Sequence, residues 1–438
     1  MTRRLPSLRR VALVTCAVWS AATLPVPNVR ISRDRYAAHM EPSLAVNPRA
    51  PRTLLGAATY LPDAHSFNGG RVPGTFASRD GGRTWRDNGP LPLPPGYSAG
   101  SNVSVAVAAG GVGFVAVRAD SGPQRTGIFV WRTADGGRHF APPVAVAAGD
   151  PRVNVDHPWL AVERATGALD VAWSVSGPQR GAIAFSRSVD GGRHFAAPRT
   201  ITGSAQRADV VPVITAGPAG IVAVVYADVG PANAGEDSVA GLQRARIVVV
   251  RSADGGRHFG RPREITGATL GAPSTRPLAL FALPAAAIDP RDGTLYVAVA
   301  RDQPDLAHPE IVLLRSRDGG GTWTARGVAT EPGATQALHL QPQLAVTPDG
   351  VVGVSYLSLA HGRIDLYLAQ SRDHGASVGP AVRVTDRPWD PARGLDLGGG
   401  QFWVGDYQGL AAGPHTFDLV WTDTRTGRLE LFAAAVAA

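Results

Sequence analysis

The sequence predicts an all-β chain wound as a β-propeller, with seven blades favoured over six and the ring closed by an N-terminal strand. Three observations carry this. Ser78-Arg79-Asp80-Gly81-Gly82-Arg83-Thr84-Trp85 returns five more times, with its Asp at 135, 190, 254, 318 and 373, so the spacings are 55, 55, 64, 64 and 55 residues. Between these boxes lie short runs rich in β-branched and aromatic residues, bounded by Gly, Pro and Asp, with no convincing helical period. Beyond the sixth box-bearing unit, residues 400–438 hold only three runs, while an unassigned one, Val29–Ser32, stands near the start of the chain.

The elements follow in order. Each unit opens with a small, Ala-rich run often introduced by Pro: Pro42–Val46, Pro158–Val162, Pro284–Ile288 and Pro342–Val346. A second run follows a turn, as in Leu169–Trp173, Ile221–Tyr226, Leu295–Val299 and Val351–Tyr356. A third leads into the box (Gly127–Trp131, Ala182–Phe185, Ile247–Val250, Ile311–Leu314), and a fourth leaves it. Four antiparallel strands per unit, repeated radially, make a propeller, and small inner strands suit sheets converging on a narrow axis. Six box-bearing units span roughly 41–95, 100–148, 155–203, 208–267, 277–330 and 338–386; a seventh, within 400–438, borrows Val29–Ser32 as its fourth strand and so removes an exposed edge.

The box has a mechanical reason. Asp-Gly-Gly between two β-runs is a hairpin signal, because glycine takes φ > 0 freely and Asp accepts from the turn's own N–H groups. Asp80, Asp135, Asp190, Asp254, Asp318 and Asp373 therefore read as structural, and His139, His194 and His258 occupy the slot that Thr84 fills in the first box.

Composition bounds the rest. The chain of 438 residues has 43 basic residues, all Arg, against 35 acids, for a net charge of +8. Arg3, Arg4, Arg9 and Arg10 precede an apolar run, Val11–Ala22, with small residues Ser20-Ala21-Ala22, so residues 1–22 read as an export signal and 23–438 as one propeller domain. The apolar run is too short for a membrane span. Losing residues 1–22 takes away four Arg, and no Arg-rich helix remains to indicate nucleic acid. The only Cys is Cys16, which excludes an intramolecular disulfide or a thiolate metal site. A secreted, monomeric protein is expected.

The pattern Ser/Thr-x-Asp-x-Gly-x-Thr-Trp/Phe resembles the Asp-box, or bacterial neuraminidase repeat, of the sialidase superfamily. Six copies cover almost all of the chain after the signal. The resemblance implies a sialidase-like propeller. Among true exo-sialidases it also implies an arginine triad gripping a sugar carboxylate, a Tyr nucleophile activated by Glu, and an Asp acid/base. The nearest string to the family's first Arg is Arg30-Ile31-Ser32, which lacks the family's Pro.

In a propeller the starts of first strands and the ends of second strands share one face, opposite the boxes. The first set contains Glu41, Ser101, Asn102, Asp156, His157, Asp209, Arg276, Gln341, Asp406 and Tyr407; the second contains Asp63, Asp120, Asp228, Arg301, Asp302, Asp423 and Arg425. From these, Asp406, Tyr407, Glu41, Asp156 and His157 are the candidate catalytic groups, because crowded acids acquire pKa values suited to proton transfer. Arg276, Arg301, Gln341 and Asn102 are candidate ligand contacts, with Trp403 as a stacking platform. Asp209 and Asp302 would suit a hard cation such as Ca²⁺; no other cofactor is expected. Two functions from different classes stand beside each other: a propeller that binds a glycan or other small extracellular ligand, and a glycoside hydrolase of exo-α-sialidase type. A protein-interaction scaffold is a third.

Overall fold

The computed structural model describes residues 26–63, 70–122, 125–148, 150, 152–177, 180–202, 208–230, 244–270, 278–279, 283–301, 310–328, 331, 337–398 and 400–438. The export signal read at 1–22 lies outside them, as do Arg276 and Asp302. Strands dominate; among the described residues the helical pieces are two three-residue 3₁₀ turns, Pro218–Gly220 and Pro391–Arg393. Among the described residues no helix is long and apolar enough to cross a membrane.

Seven four-stranded antiparallel sheets form the ring, each with its first strand innermost. These inner strands are Ala38–Val46, Ala99–Val107, Asn154–Val162, Asp209–Ala216, Ala285–Ile288, Leu338–Val346 and Gly409–Ala412. Each touches the next, and the last returns to the first. The seventh sheet takes Val29–Arg30 as its outer strand, paired to Glu430–Ala437 in the register Val29 to Ala433 and Arg30 to Phe432. Ile31 extends the pairing through its N–H to the Leu431 carbonyl at 2.8 Å. The six-bladed alternative is thereby excluded.

A small additional sheet was not anticipated from sequence. Leu278–Ala279 pairs in parallel with Phe402–Trp403, which pairs antiparallel with Leu395–Asp396. This ribbon ties the segment before the fifth blade to the one before the seventh. It turns the Gly-rich stretch around 398–405 into part of the mouth's wall.

Packing between blades comes from the second strands. Each carries a fully buried aromatic ring: Tyr60, Phe114, Trp173, Tyr226, Tyr296, Tyr356 and Trp421. Rings of this size bury 150–250 Å² each and fill the wedge that opens between sheets as they diverge from the axis. An aromatic residue at every repeat is thus a geometric need of the fold.

The six boxes are superimposable hydrogen-bond motifs. In the first, Ser78 Oγ donates to Asp80 Oδ1 at 2.9 Å, the Gly82 N–H to Ser78 Oγ at 2.9 Å, and Thr84 Oγ1 to Asp80 Oδ2 at 2.6 Å. In the second to fourth boxes His139, His194 and His258 place Nδ1 at 2.6, 2.6 and 2.7 Å from their Asp, where the Thr hydroxyl otherwise sits. The divergent sixth box keeps the plan through Ser371, Asp373 and Ser377. Bonds from the His194 backbone and ring hold the Asp190 carboxyl well below its ordinary range.

The boxes also couple blades, which the repeat pattern alone did not reveal. The Arg just before a box reaches the next blade's box: Arg187 donates to the Gly255 carbonyl, and Arg315 to the His374 carbonyl at 3.0 Å. Arg251 lies so close to Gly319 that an added Cβ there would stand 2.5 Å from its guanidinium. Gly319 and Gly81 share left-handed φ values of 71° and 73°, but nothing lies within 4 Å of a Cβ at Gly81. Gly81→Ala should therefore cost only the left-handed penalty of about 1–2 kcal/mol. Gly319→Ala should cost at most ~1 kcal/mol more, because the Arg251 guanidinium is the far end of a flexible side chain and has to move aside. Equal urea midpoints for the two variants would show that the coupling contributes nothing.

Candidate functional site at the propeller mouth

Five of the seven inner strands break register near their start. The irregularities fall between Met40 and Ser43, Ser101 and Ser104, Asp156 and Trp159, Val210 and Val213, and Leu340 and Gln343. Within each bulge one non-glycine residue is left-handed: Glu41 at φ 54°, Asn102 at 51°, His157 at 47°, Val211 at 50° and Gln341 at 49°. Such backbone costs on the order of 1–3 kcal/mol per residue, and for β-branched Val211 it is a marked outlier. A bulge re-aims the side chain off the pleat. Here it presents four polar side chains, at equivalent positions of four blades, around the axis on the face opposite the boxes.

Hydrogen bonds link this rim across blades. Asn102 Nδ2 donates to Asp156 Oδ1, which also accepts the His157 N–H at 2.8 Å and lies 3.6 Å from Arg118 Nε. Gln341 Nε2 donates to the Gly405 carbonyl at 2.5 Å, Gln408 Nε2 to Gln341 Oε1 at 2.8 Å, and the Thr422 N–H to Gln408 Oε1 at 2.8 Å. Tyr407 crosses from the seventh blade to donate its hydroxyl to the Val103 carbonyl at 3.2 Å, with its ring edge-on to Trp159 at 5.7 Å. Below this floor Trp159, Ser43, Ser104, Gln343 and Gln408 surround an axial cavity of about 110 Å³.

Electrostatics separates the acids. Burial pushes the Glu41 carboxyl up to about 8, reinforced by Asp406 and Asp156 and opposed by Arg71 and the Thr59 hydroxyl. Glu41 is therefore protonated at neutral pH. Asp156 accepts at Oδ1 from Asn102 and the His157 N–H. Burial lowers the His157 imidazole, so it is neutral at pH 7. Its Nδ1 and the Ser101 hydroxyl are buried without a hydrogen-bond partner. Native proteins rarely leave such groups unmatched, because each costs roughly 1–3 kcal/mol.

Several sequence expectations change here. Trp403 is no exposed stacking platform: it is 3% exposed and donates Nε1 to Asp406 Oδ1 at 2.8 Å. Tyr407 is no poised nucleophile either. Burial, with Glu41, Asp406 and Asp156 nearby, raises its phenol far above the ordinary value. Asp406 is thereby a support for Trp403 within the ribbon, not a free acid. Arg301 stands 3.6 Å from Glu310 rather than in an arginine cluster. Asp228 pairs with Arg246 at 2.5 Å and Asp423 with Arg425 at 2.6 Å, so these second-strand acids are structural. Asp209 is buried at the entry of the fourth inner strand, and among the described residues no three His, Cys, Asp or Glu side chains are placed to hold a metal ion.

Glu41, Asn102, Asp156, His157 and Gln341 are brought together with Trp159, the indole that follows His157-Pro158 in the sequence, and with Arg118 and Arg71 as neighbours that sequence reasoning missed. Arg118 had a legible signal: it is the one basic residue of Gly113–Asp120 and shares a strand face with Asp120, two residues on. Arg71 had none, since only folding brings its blade edge to Glu41.

The fold is a seven-bladed β-propeller with a polar mouth on the face opposite the boxes. Solved structures of like fold include the GH93 α-L-arabinofuranosidase of Fusarium graminearum with arabinobiose (TM-score 0.52, 14% identity, 94% of this chain and 97% of that one). They also include the Hadza microbial sialidase Hz136 (TM-score 0.50, 12% identity, 94% and 95%) and a PL25 ulvan lyase (TM-score 0.51, 11% identity, 93% and 96%). No protein-family model matches the sequence, and no curated protein matches it. At these identities the likeness is one of fold. These named neighbours are all glycan-active propellers.

Proposed function

We propose that the chain, exported by residues 1–22 and working as the single monomeric domain 23–438, binds a glycan at the mouth formed by Glu41, Asn102, Asp156, His157 and Gln341. One observation carries the reading: strained, polar, bulged residues of four blades converge there, and the Ser101 hydroxyl and His157 Nδ1 remain without partners. Strain retained at corresponding positions of several blades implies that the side chains are wanted where the bulge puts them. Sugar hydroxyls both donate and accept, as these two groups require.

Hydrolysis is the second reading, favoured by Glu41 being protonated beside the acceptor Asp156. A protonated carboxyl can donate to a leaving oxygen while a second carboxylate stabilises or attacks the anomeric centre. With Tyr407 committed to the floor, a two-carboxylate scheme fits this mouth better than a Tyr-nucleophile sialidase scheme. Arg71 and Arg118 offset the acids, so a neutral pentose or hexose glycan fits better than sialic acid.

Protein recovered from the medium, beginning at Thr23, should bind neutral oligosaccharides from a panel of arabinan, xylan and galactan fragments. His157→Ala together with Ser101→Ala should weaken that binding at least tenfold at unchanged thermal midpoint, as read by calorimetry. No binding by the wild type across neutral and sialylated members would sink the glycan reading; binding without turnover would leave binding and remove hydrolysis.

A further inference from the structure

A second recessed surface lies on the opposite face. Between the boxes of the third and fourth blades runs an open groove of about 890 Å³, within the size range of ligand sites. Its rim carries Val189, 82% exposed, the most exposed large hydrophobic side chain among the described residues, and Ala196 and Ala197 are exposed beside it.

The groove holds a fixed cation. The Arg199 guanidinium sits 5.3 Å from the Phe185 ring centroid and 5.4 Å from that of Phe259, and Nη1 donates to the Arg257 carbonyl. Two aromatic faces and one hydrogen bond restrain a side chain that otherwise loses much entropy on binding anything. Among the described residues no carboxylate lies in ion-pair distance of Arg199 or Arg257.

The acids of the same wall are already engaged. Glu163 and Asp170 both pair with Arg187, at 2.9 and 2.8 Å. Asp190 and Asp254 accept from their own boxes and from His194 and His258. Their lone pairs point into the boxes, whereas Arg199 and Arg257 keep donors for a ligand. Two guanidiniums beside an apolar strip suit a chain with carboxylates or sulfates on one edge and C–H faces on the other.

We propose that this groove is an accessory site for an acidic oligosaccharide bearing carboxylate or sulfate groups, separate from the mouth and independent of whether the mouth turns over its ligand. The open groove, with Val189, Ala196 and Ala197 exposed beside Arg199 and Arg257, favours a sugar chain laid along the surface over a folded partner.

The test uses the full mature protein and fluorescently labelled tetragalacturonate, its methyl ester, a sulfated tetrasaccharide and tetraglutamate, read by anisotropy at low and physiological salt. The acidic sugars should bind, the neutral ester at least tenfold more weakly. Arg199→Ala/Arg257→Ala should lose at least tenfold in affinity, and the exposed single variant Arg257→Glu should do likewise should the double variant fold poorly. Glu41→Gln, at the mouth, should leave the affinity unchanged. Equal binding of acid and ester, indifference to both arginine variants, or an equal loss in Glu41→Gln would overturn the proposal. Tetraglutamate binding as tightly as the acidic sugars would overturn its assignment to glycans. Carboxylate and sulfate arms separate the two sources of charge.

Discussion

Glu41→Gln should stabilise the folded protein at alkaline pH while removing the proton donor of the mouth. The sign follows from the raised carboxyl. Glu41 ordinarily titrates at 4.5 and in the folded chain at about 8, mainly because burial penalises its charge. The folded state thus holds this proton more tightly than the unfolded one. Its contribution to stability is fully present below about pH 4.5 and is lost as pH rises through about 8, where the site must bury a charge or release it. Gln cannot ionise and escapes that loss. Between pH 4 and pH 9 the variant should gain on the order of 4 kcal/mol relative to wild type, read from urea unfolding at both pH values. Any glycosidase turnover should fall about 10²–10⁴-fold. Parallel stability–pH curves for the two proteins would mean that Glu41 is not held protonated, and the acid role would go with it.

Removing residues 26–32 should open the ring. Val29–Arg30 is the outer strand of the seventh blade, and Ile31 beside it is 1% exposed within the core shared by the first and last blades. Leu431 N–H donates to Ser32 Oγ at 3.0 Å, and Asn28 Nδ2 reaches the Val384 carbonyl of the sixth blade at 2.9 Å. Arg30 meets Glu430 at 2.5 Å, a carboxylate with no exposure of its own, whose other cation is Arg428 at 2.6 Å. Ile31→Ala alone should cost about 2–5 kcal/mol through the cavity left behind. The truncation should cost more, and it should bare the edge of Glu430–Ala437 for pairing with another chain. Light scattering should then find concentration-dependent oligomers alongside the lowered unfolding midpoint. A truncated protein that stays monomeric at the wild-type midpoint would show the ring to be held by its sheet-to-sheet packing alone.

Much of the fold was legible because it repeats. Ser78–Trp85 and its copies are local: the side-chain bonds among Ser78, Asp80, Gly82 and Thr84 that define the turn join residues within four positions of each other, so their meaning survives without tertiary context. The closing strand was legible by subtraction. The tight steric demands of the mouth were not. Glu41, Asn102, His157 and Gln341 could be named as polar residues at equivalent places, but nothing in Glu41-Pro42 or His157-Pro158 announces a left-handed bulge. A residue before proline normally avoids only the right-handed helical region, and the strain shows once the ring forces it.

The misreadings share one cause. Trp403 and Tyr407 looked exposed because they stand in a Gly-rich stretch, yet the ribbon with Leu278–Ala279 folds that stretch inward. The partner strand lies more than a hundred residues away, and short strands of two residues have no periodicity to read. Arg301, Asp228 and Asp423 stood in the sequence only as rim positions, and folding shows their partners to be Glu310, Arg246 and Arg425.

What the sequence by itself determined is the architecture: a radially repeated four-stranded unit, the face that the boxes occupy and the strand that closes the circle, while the pairing in the last sheet decided seven blades over six. These depend on turn chemistry and alternation, interactions among near neighbours whose energies do not wait for the rest of the chain. The tertiary structure alone decided which polar groups share an environment. Glu41 becomes an acid only when the first, third and seventh blades bring Asp156 and Asp406 beside it and exclude water. Arg199 becomes a fixed cation only when two blades supply the rings beneath it. Desolvation and Coulomb terms depend on distances between residues far apart in the chain, and only closing the ring sets them.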